Sequence, residues 1–327
     1  MTEEQVPAIP NDDSDILAAG YAPKLRRSVR AVASWAASFS MMSILMGVFS
    51  NYGYMLTKAG VFGIWTWVAV GIGQTLVALV FADLAGRVSL AGAIYNWNTL
   101  LANRFVGWVT GFLIFLTYTV ASVGISMAAV TPLQTLLGQE FSALDPHLVG
   151  GLFFLLCIGI NIVGIGFAAR INQIAVLLEL GALAVFGATL LCAILHQQSP
   201  PFTALVTAPF SSWSGFGGFL PAILLGAWTI FGFEASSELS EETLNVKKVV
   251  PRNIISSVVF TALAGFVFVT ILSLGIFDLE AARAASDPIS LITEGRLKVK
   301  CNLLRSMQGA RDGQTIPAYQ RYGTRTD

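Results

Sequence analysis

Seven runs of roughly twenty mostly apolar residues follow one another along this chain, each long enough to cross a bilayer as a helix. They fall at about 31–55, 61–83, 106–137, 148–169, 172–195, 216–238 and 254–277. Hydrocarbon offers no partner for an open backbone N–H or C=O, so segments like these can span only as helices. The expected fold class is an all-α polytopic membrane protein with about seven transmembrane helices. Charge agrees: only 12% of residues are charged, against about 25% in an ordinary soluble domain. The formal net charge is zero, so nothing in the balance points to nucleic acid.

Basic residues set the orientation. Lys24, Arg26, Arg27 and Arg30 precede the first run, Arg87 and Arg104 lie between the second and third, and Arg170 sits in "ARINQ", which reads as the turn between the fourth and fifth. Lys247, Lys248 and Arg252 lie between the sixth and seventh. By the positive-inside rule these loops and the N-terminus are expected in the cytoplasm. The polar, acidic residues 1–28 read as a cytoplasmic tail and do not resemble a cleavable signal. Residues 29–295 form the membrane domain, and 296–327 a basic tail with seven Lys/Arg against two Asp/Glu. That tail would lie outside and break the rule, so we expect the sequence to depart near Glu294 from a longer parent.

Two runs carry features that a plain anchor does not need. In "GAWTIFGFEASSELSEET" (226–243), Gly226 and Gly232 precede Glu234 inside an apolar span. In "VASWAASFSMMSILMGVFSNYGYML" the interior holds Ser38, Ser40, Ser43, Gly47, Ser50 and Asn51. Paired discontinuous helices are how secondary transporters present backbone groups and half-helix dipoles to a substrate near the midplane. Spans 1 and 6 are five apart, as an inverted repeat of five helices requires. The plainer alternative is that Gly and Ser only let helices pack closely.

Three longer stretches stand out: "LAAGYAPKLRRS" (17–28), "FADLAGRVSLAGAIYNW" (81–97) and "FGFEASSELSEETLNVKKVVPRNI" (231–254). Together they resemble the amino acid–polyamine–organocation permeases, especially the branch with fungal GABA and choline permeases, with Ser89 where a proline is usual. The resemblance covers about 17–293. It implies a LeuT-like five-helix inverted-repeat transporter fold, incomplete here: the first repeat and the opening two helices of the second. It further implies a secondary active transporter for amino acids or small organic amines such as GABA or choline, in the plasma or vacuolar membrane. Coupling would be to protons or, alternatively, sodium. The competing reading is a truncated, non-transporting membrane protein, inert or regulatory.

The resemblance also implies roles. Gly47 falls on the second glycine of the family's break in span 1, although Leu45 and Met46 replace the usual small and hydroxyl residues; Ser43 is the nearest substitute hydroxyl. Trp228 falls where relatives close an aromatic over the substrate, with Gly226 and Gly232 framing the unwound segment. Glu234 matches a position linked to proton or substrate coupling. Glu179 takes the place of a lysine beside span 1 in some proton-coupled relatives. Each has a structural alternative: helix packing for the glycines, a backbone bond for Ser43, ordinary membrane aromaticity for Trp228, and a polar knot or structural bond for the two carboxylates.

Pro251 suits the first turn of span 7. Cys157 and Cys192 read as small apolar fillers. His147 and His196 lack ligand spacing, so no metal is expected, and no cofactor loop or nucleophile–base pair suggests an enzyme. A cytoplasmic N-terminus argues against a seven-helix receptor.

Overall fold

The computed structural model describes residues 17, 27–130, 133–134, 144–195, 203–206, 213–285 and 287–296. Nearly all of the two expected tails, 1–28 and 296–327, and the end of the third span lie outside the described residues.

Residues of all seven expected spans are helical. The helices are α1 (Ala31–Met41), α2 (Ile44–Ala59), α3 (Ile64–Arg87), α4 (Ala93–Leu101), α5 (Arg104–Ala128), α6 (Pro146–Val163) and α7 (Ile165–Leu195). After them come α8 (Trp213–Phe219), α9 (Leu224–Thr229), α10 (Ala235–Glu238), α11 (Val246–Leu274) and α12 (Leu279–Ala284). The apolar stretch Ala31–Arg87 is 57 residues long. As continuous helix it would reach about 85 Å, far more than one bilayer crossing of about 30 Å. It divides into two crossings at the 3-10 turn Gly60–Gly63. Arg104–Ala128, Pro146–Val163, Gly166–Leu195 and Val246–Leu274 are each long and apolar enough to cross alone, whereas Phe216–Thr229 is shorter. An irregular segment and α10 follow it.

Three boundaries differ from the sequence reading. The turn between the fourth and fifth spans falls at Gly164, whose φ is +132°, and "ARINQ" lies inside α7. Alanine, arginine and glutamine all favour helix, and the glycine offers the chain its easier reversal. Pro251 lies inside α11 and not at its first turn, because the helix already begins at Val246. The connection at 88–103 contains a helix of its own, α4.

The chain divides into two compact units. One comprises Met1–Asn51, Trp65–Ala182 and Ile223–Phe266. In it Trp35 stacks on Phe39 at 5.0 Å and both meet the edge of Phe260. The fully buried Trp67 donates its indole N–H to the Ala262 carbonyl at 2.8 Å. The other comprises Tyr52–Ile64, Leu183–Ala222 and Val267–Asp327. There the hydroxyls of Tyr52 and Ser273 meet at 2.9 Å, and Arg283 donates to the Leu56 carbonyl at 3.1 Å. Arg296, the first residue assigned to the atypical tail, is fully buried in this unit. It donates to the Gly275 carbonyl at 2.9 Å and lies over the Phe277 ring, so the packed fold extends through the start of that segment.

Candidate functional site

Span 1 is interrupted at Met42–Ser43. Met42 closes α1 by donating its N–H to the Phe39 carbonyl at 3.0 Å. Ser43 then acts as the N-cap of α2, its hydroxyl oxygen accepting from Met46 N–H at 3.3 Å. Glu179 reaches the same helix end from α7. Its Oε1 accepts the Ser43 hydroxyl proton at 2.7 Å and the Leu45 N–H at 3.3 Å. A carboxylate there satisfies donors that α2 cannot satisfy internally and lies at the positive end of its dipole.

Span 6 is interrupted between α9 and α10. Ile230 N–H still closes onto the Gly226 carbonyl at 2.8 Å, after which the backbone turns through Gly232 at φ +90°. A side chain is strained in that region, and a Cβ on Gly232 would also come within 2.8 Å of Met41 Cβ. The exposed backbone is satisfied from span 1. The Ser38 hydroxyl donates to the Phe233 carbonyl at 2.6 Å and accepts from Ser236 N–H at 3.0 Å. This is the compensation that irregular backbone at membrane depth requires.

The N-terminal end of span 1 is also tied to the chain that follows span 6. Ser28 and Val29 donate to the Glu242 carbonyl at 2.9 Å each, and Leu244 donates to Val29 at 3.0 Å, making a parallel bridge between Val29 and Thr243. The Arg27 guanidinium donates to the carbonyls of Ser240 and Thr243, both at 2.9 Å.

A cavity of about 580 Å³ opens beside both interruptions, within the range of small-molecule sites. Its walls come from span 1 (Ser40 to Ser43, Met46, Gly47), from α5 around Tyr118, and from span 6 (Trp228, Thr229, Phe231). Of the residues singled out from sequence, Ser43, Gly47 and Trp228 line it, and Trp228 is 44% exposed.

Gly226, Gly232, Glu179 and Glu234 are not among the lining residues. Gly226 lies inside α9, where a Cβ would press on Val70 at 3.0 Å, and its carbonyl takes the last helical hydrogen bond before the irregular segment. Gly47 likewise lies inside α2, beyond the break. A Cβ there would fall inside the Thr229 side chain, so this glycine lets spans 1 and 6 approach. The two carboxylates stand one layer behind the wall, each holding a hydroxyl that belongs to it. Glu179 holds Ser43, and Glu234, only 6% exposed, accepts from Tyr118 at 2.8 Å.

Tyr118 escaped the sequence reading, and Ser38 entered it only as one of the polar residues inside span 1. Tyr118 does carry a signal: with Ser122 and Ser126 it makes a polar row at spacing four on an apolar span. Among the described residues, no group of His, Cys, Asp and Glu could hold a metal.

Residues 32–292 match the family model described as "Amino acid permease". Amino-acid permease BAT1 of Arabidopsis thaliana is 26% identical over 84% of this chain and 57% of its own length. The branched-chain amino acid permease BcaP of Lactococcus lactis is 28% identical over 65% of this chain and 48% of its own. The GABA-specific permease of Saccharomyces cerevisiae is 24% identical over 79% of this chain and 48% of its own. The chain spans about half the length of the curated relatives it matches.

Proposed function

Because the chain belongs to the amino acid permease family, we propose that it serves as a secondary active transporter for amino acids or small organic amines such as GABA. The observation that carries this reading is the meeting of two interrupted spans, five apart in order, at the wall of one cavity. Ser43, Gly47 and Trp228 face the substrate, with Trp228 as the aromatic that closes over it. Gly226 and Gly232 shape span 6 behind them. Alternating access rocks the two spans about the cavity, and a proton carried by Glu179 or Glu234 couples the motion to a gradient. The basic residues of the loops support a cytoplasmic N-terminus.

The test is uptake by the purified chain in liposomes. With an inward proton gradient, labelled substrate should accumulate above the level of empty liposomes, and collapsing the gradient should abolish accumulation. Absence of both accumulation and counterflow across a panel of amino acids and amines defeats the transporter reading. Gradient-driven uptake that survives Glu179→Gln with Glu234→Gln defeats the coupling role alone.

A further inference from the structure

The residues just ahead of α1 place one hydroxyl in unusual company. Residues 24–30 read "KLRRSVR", with Lys24, Arg26, Arg27 and Arg30 around Ser28. Ser28 is exposed. Val29 and Arg30 after it are extended, and α1 begins only at Ala31. An exposed serine in an extended, basic stretch has the form that arginine-directed Ser/Thr kinases take, since their acidic subsites read the flanking charges.

Ser28 also stands at the tie between the start of span 1 and the chain that follows span 6. Its N–H and that of Val29 share the Glu242 carbonyl at 2.9 Å each, and Leu244 N–H returns to the Val29 carbonyl at 3.0 Å. Arg27 donates to the Ser240 and Thr243 carbonyls at 2.9 Å. All of these bonds are made by backbone groups or by the Arg27 guanidinium. A group added to the Ser28 oxygen therefore removes none of them directly.

A phosphate there would act through its charge, about −2 at neutral pH. A guanidinium pairs more strongly with a phosphate than with neutral carbonyls, so Arg27 is drawn off Ser240 and Thr243. The same charge arrives against the Glu242 backbone, with Glu241 preceding it. Burial, and secondarily the Glu241 charge, already push the Glu242 carboxyl above its ordinary range. Further negative charge is poorly tolerated beside it.

We infer that Ser28 is a phosphorylation site, and that its phosphate releases the start of span 1 from the chain that follows span 6. The donor is ATP, delivered by an arginine-directed kinase. The Ser28 hydroxyl gives up its proton and its oxygen bonds to the γ-phosphorus, while the bond from that phosphorus to the ADP oxygen breaks. The inference rests on the cytoplasmic N-terminus of the functional reading, since ATP and kinases are on that side. It adds a control to the transporter and leaves its substrate class as proposed.

The test uses the purified full chain in lipid nanodiscs, incubated with an arginine-directed kinase and MgATP. Peptide mass spectrometry should place phosphate on Ser28, and Ser28→Ala should abolish it. The amides of Ser28, Val29 and Leu244 should then exchange with deuterium at least about tenfold faster, while those inside α11 keep their rate. Ser28→Ala retains every backbone bond of the tie, so before modification it should exchange as wild type does. In Arg27→Gln the tie is already loosened, and phosphate should accelerate exchange less. If a panel of such kinases leaves Ser28 unmodified, the site falls. If phosphate is added and the three amides keep their rate, the release falls. An N-terminal tag stained on unpermeabilised cells overturns the cytoplasmic placement and this inference with it, whereas failed uptake in liposomes overturns the transporter reading alone.

Discussion

Ser38 holds the Phe233 carbonyl at 2.6 Å across 195 residues of sequence. One serine hydroxyl on the first span thus closes the backbone that the sixth span leaves open, and it receives Ser236 N–H on its other side.

Ser38→Ala should therefore cost more than an ordinary serine truncation. It leaves a buried carbonyl and a buried N–H without this partner, a loss of about 2 kcal/mol. Thermal unfolding of the purified chain should shift down by several degrees, and amides 232–236 should exchange faster with deuterium. Unchanged exchange there would show that the hydroxyl is dispensable.

Gly47→Ala drives a methyl into Thr229. We expect a loss of about 1–3 kcal/mol, as for overpacked cores. Thr229→Ala in the same chain should recover part of it, with a coupling of at least about 0.5 kcal/mol in a double-mutant cycle. Strict additivity would mean that the two residues do not meet.

Gly232→Ala and Gly226→Ala separate two uses of glycine within one span. The first must hold an alanine at φ +90° against Met41, at about 1–3 kcal/mol. The second meets the Val70 side chain at 3.0 Å but at helical φ, without backbone strain, and should be milder. Equal Tm losses would contradict this distinction.

Tyr118→Phe removes the phenol that donates to Glu234. The buried carboxyl then loses its side-chain partner, at about 1–3 kcal/mol. In a Glu234→Gln background the same change should cost less, and Tm measured for the four chains gives the answer directly.

Glu242 supplies a pH dependence. Burial, and secondarily the neighbouring charge of Glu241, push its pKa above the ordinary 4.5. The fold thus favours its protonated form. Its relative stabilisation is complete below the unfolded value and is lost as pH rises through the folded one. Glu242→Gln should match wild type below about pH 4 and exceed it in Tm at neutral pH. A variant less stable at neutral pH than wild type would reverse the sign.

The interruptions were legible because their residues are costly in an apolar span. A special local structure is one account of Ser38, Ser43, Gly232 and Glu234 at that depth, beside the close helix packing that small residues also serve. Glu179 could be suspected on the same ground, and it does lie at the break in span 1. The roles of Gly47 and Gly226 could not be read, since a missing side chain looks the same whether the backbone unwinds there or a neighbour needs the room. That difference resides in Thr229 and Val70, far along the chain. The turn at Gly164 is not legible because "ARINQ" is polar, and polarity alone does not separate a chain reversal from a helix. Tyr118 stayed hidden because its partner is 116 residues away.

The strap of Arg27 to Val29 along Ser240 to Leu244, together with Ser38, makes α1 and the segment from Phe233 to Leu244 a single lever. Its two pins are the interruptions themselves, Met42–Ser43 on one arm and Gly232 on the other. Neither arm can swing about its pin without tearing that seam or carrying its companion through the same arc. A load applied to the chain just ahead of Arg27 is thereby delivered to the sixth span as directly as to the first.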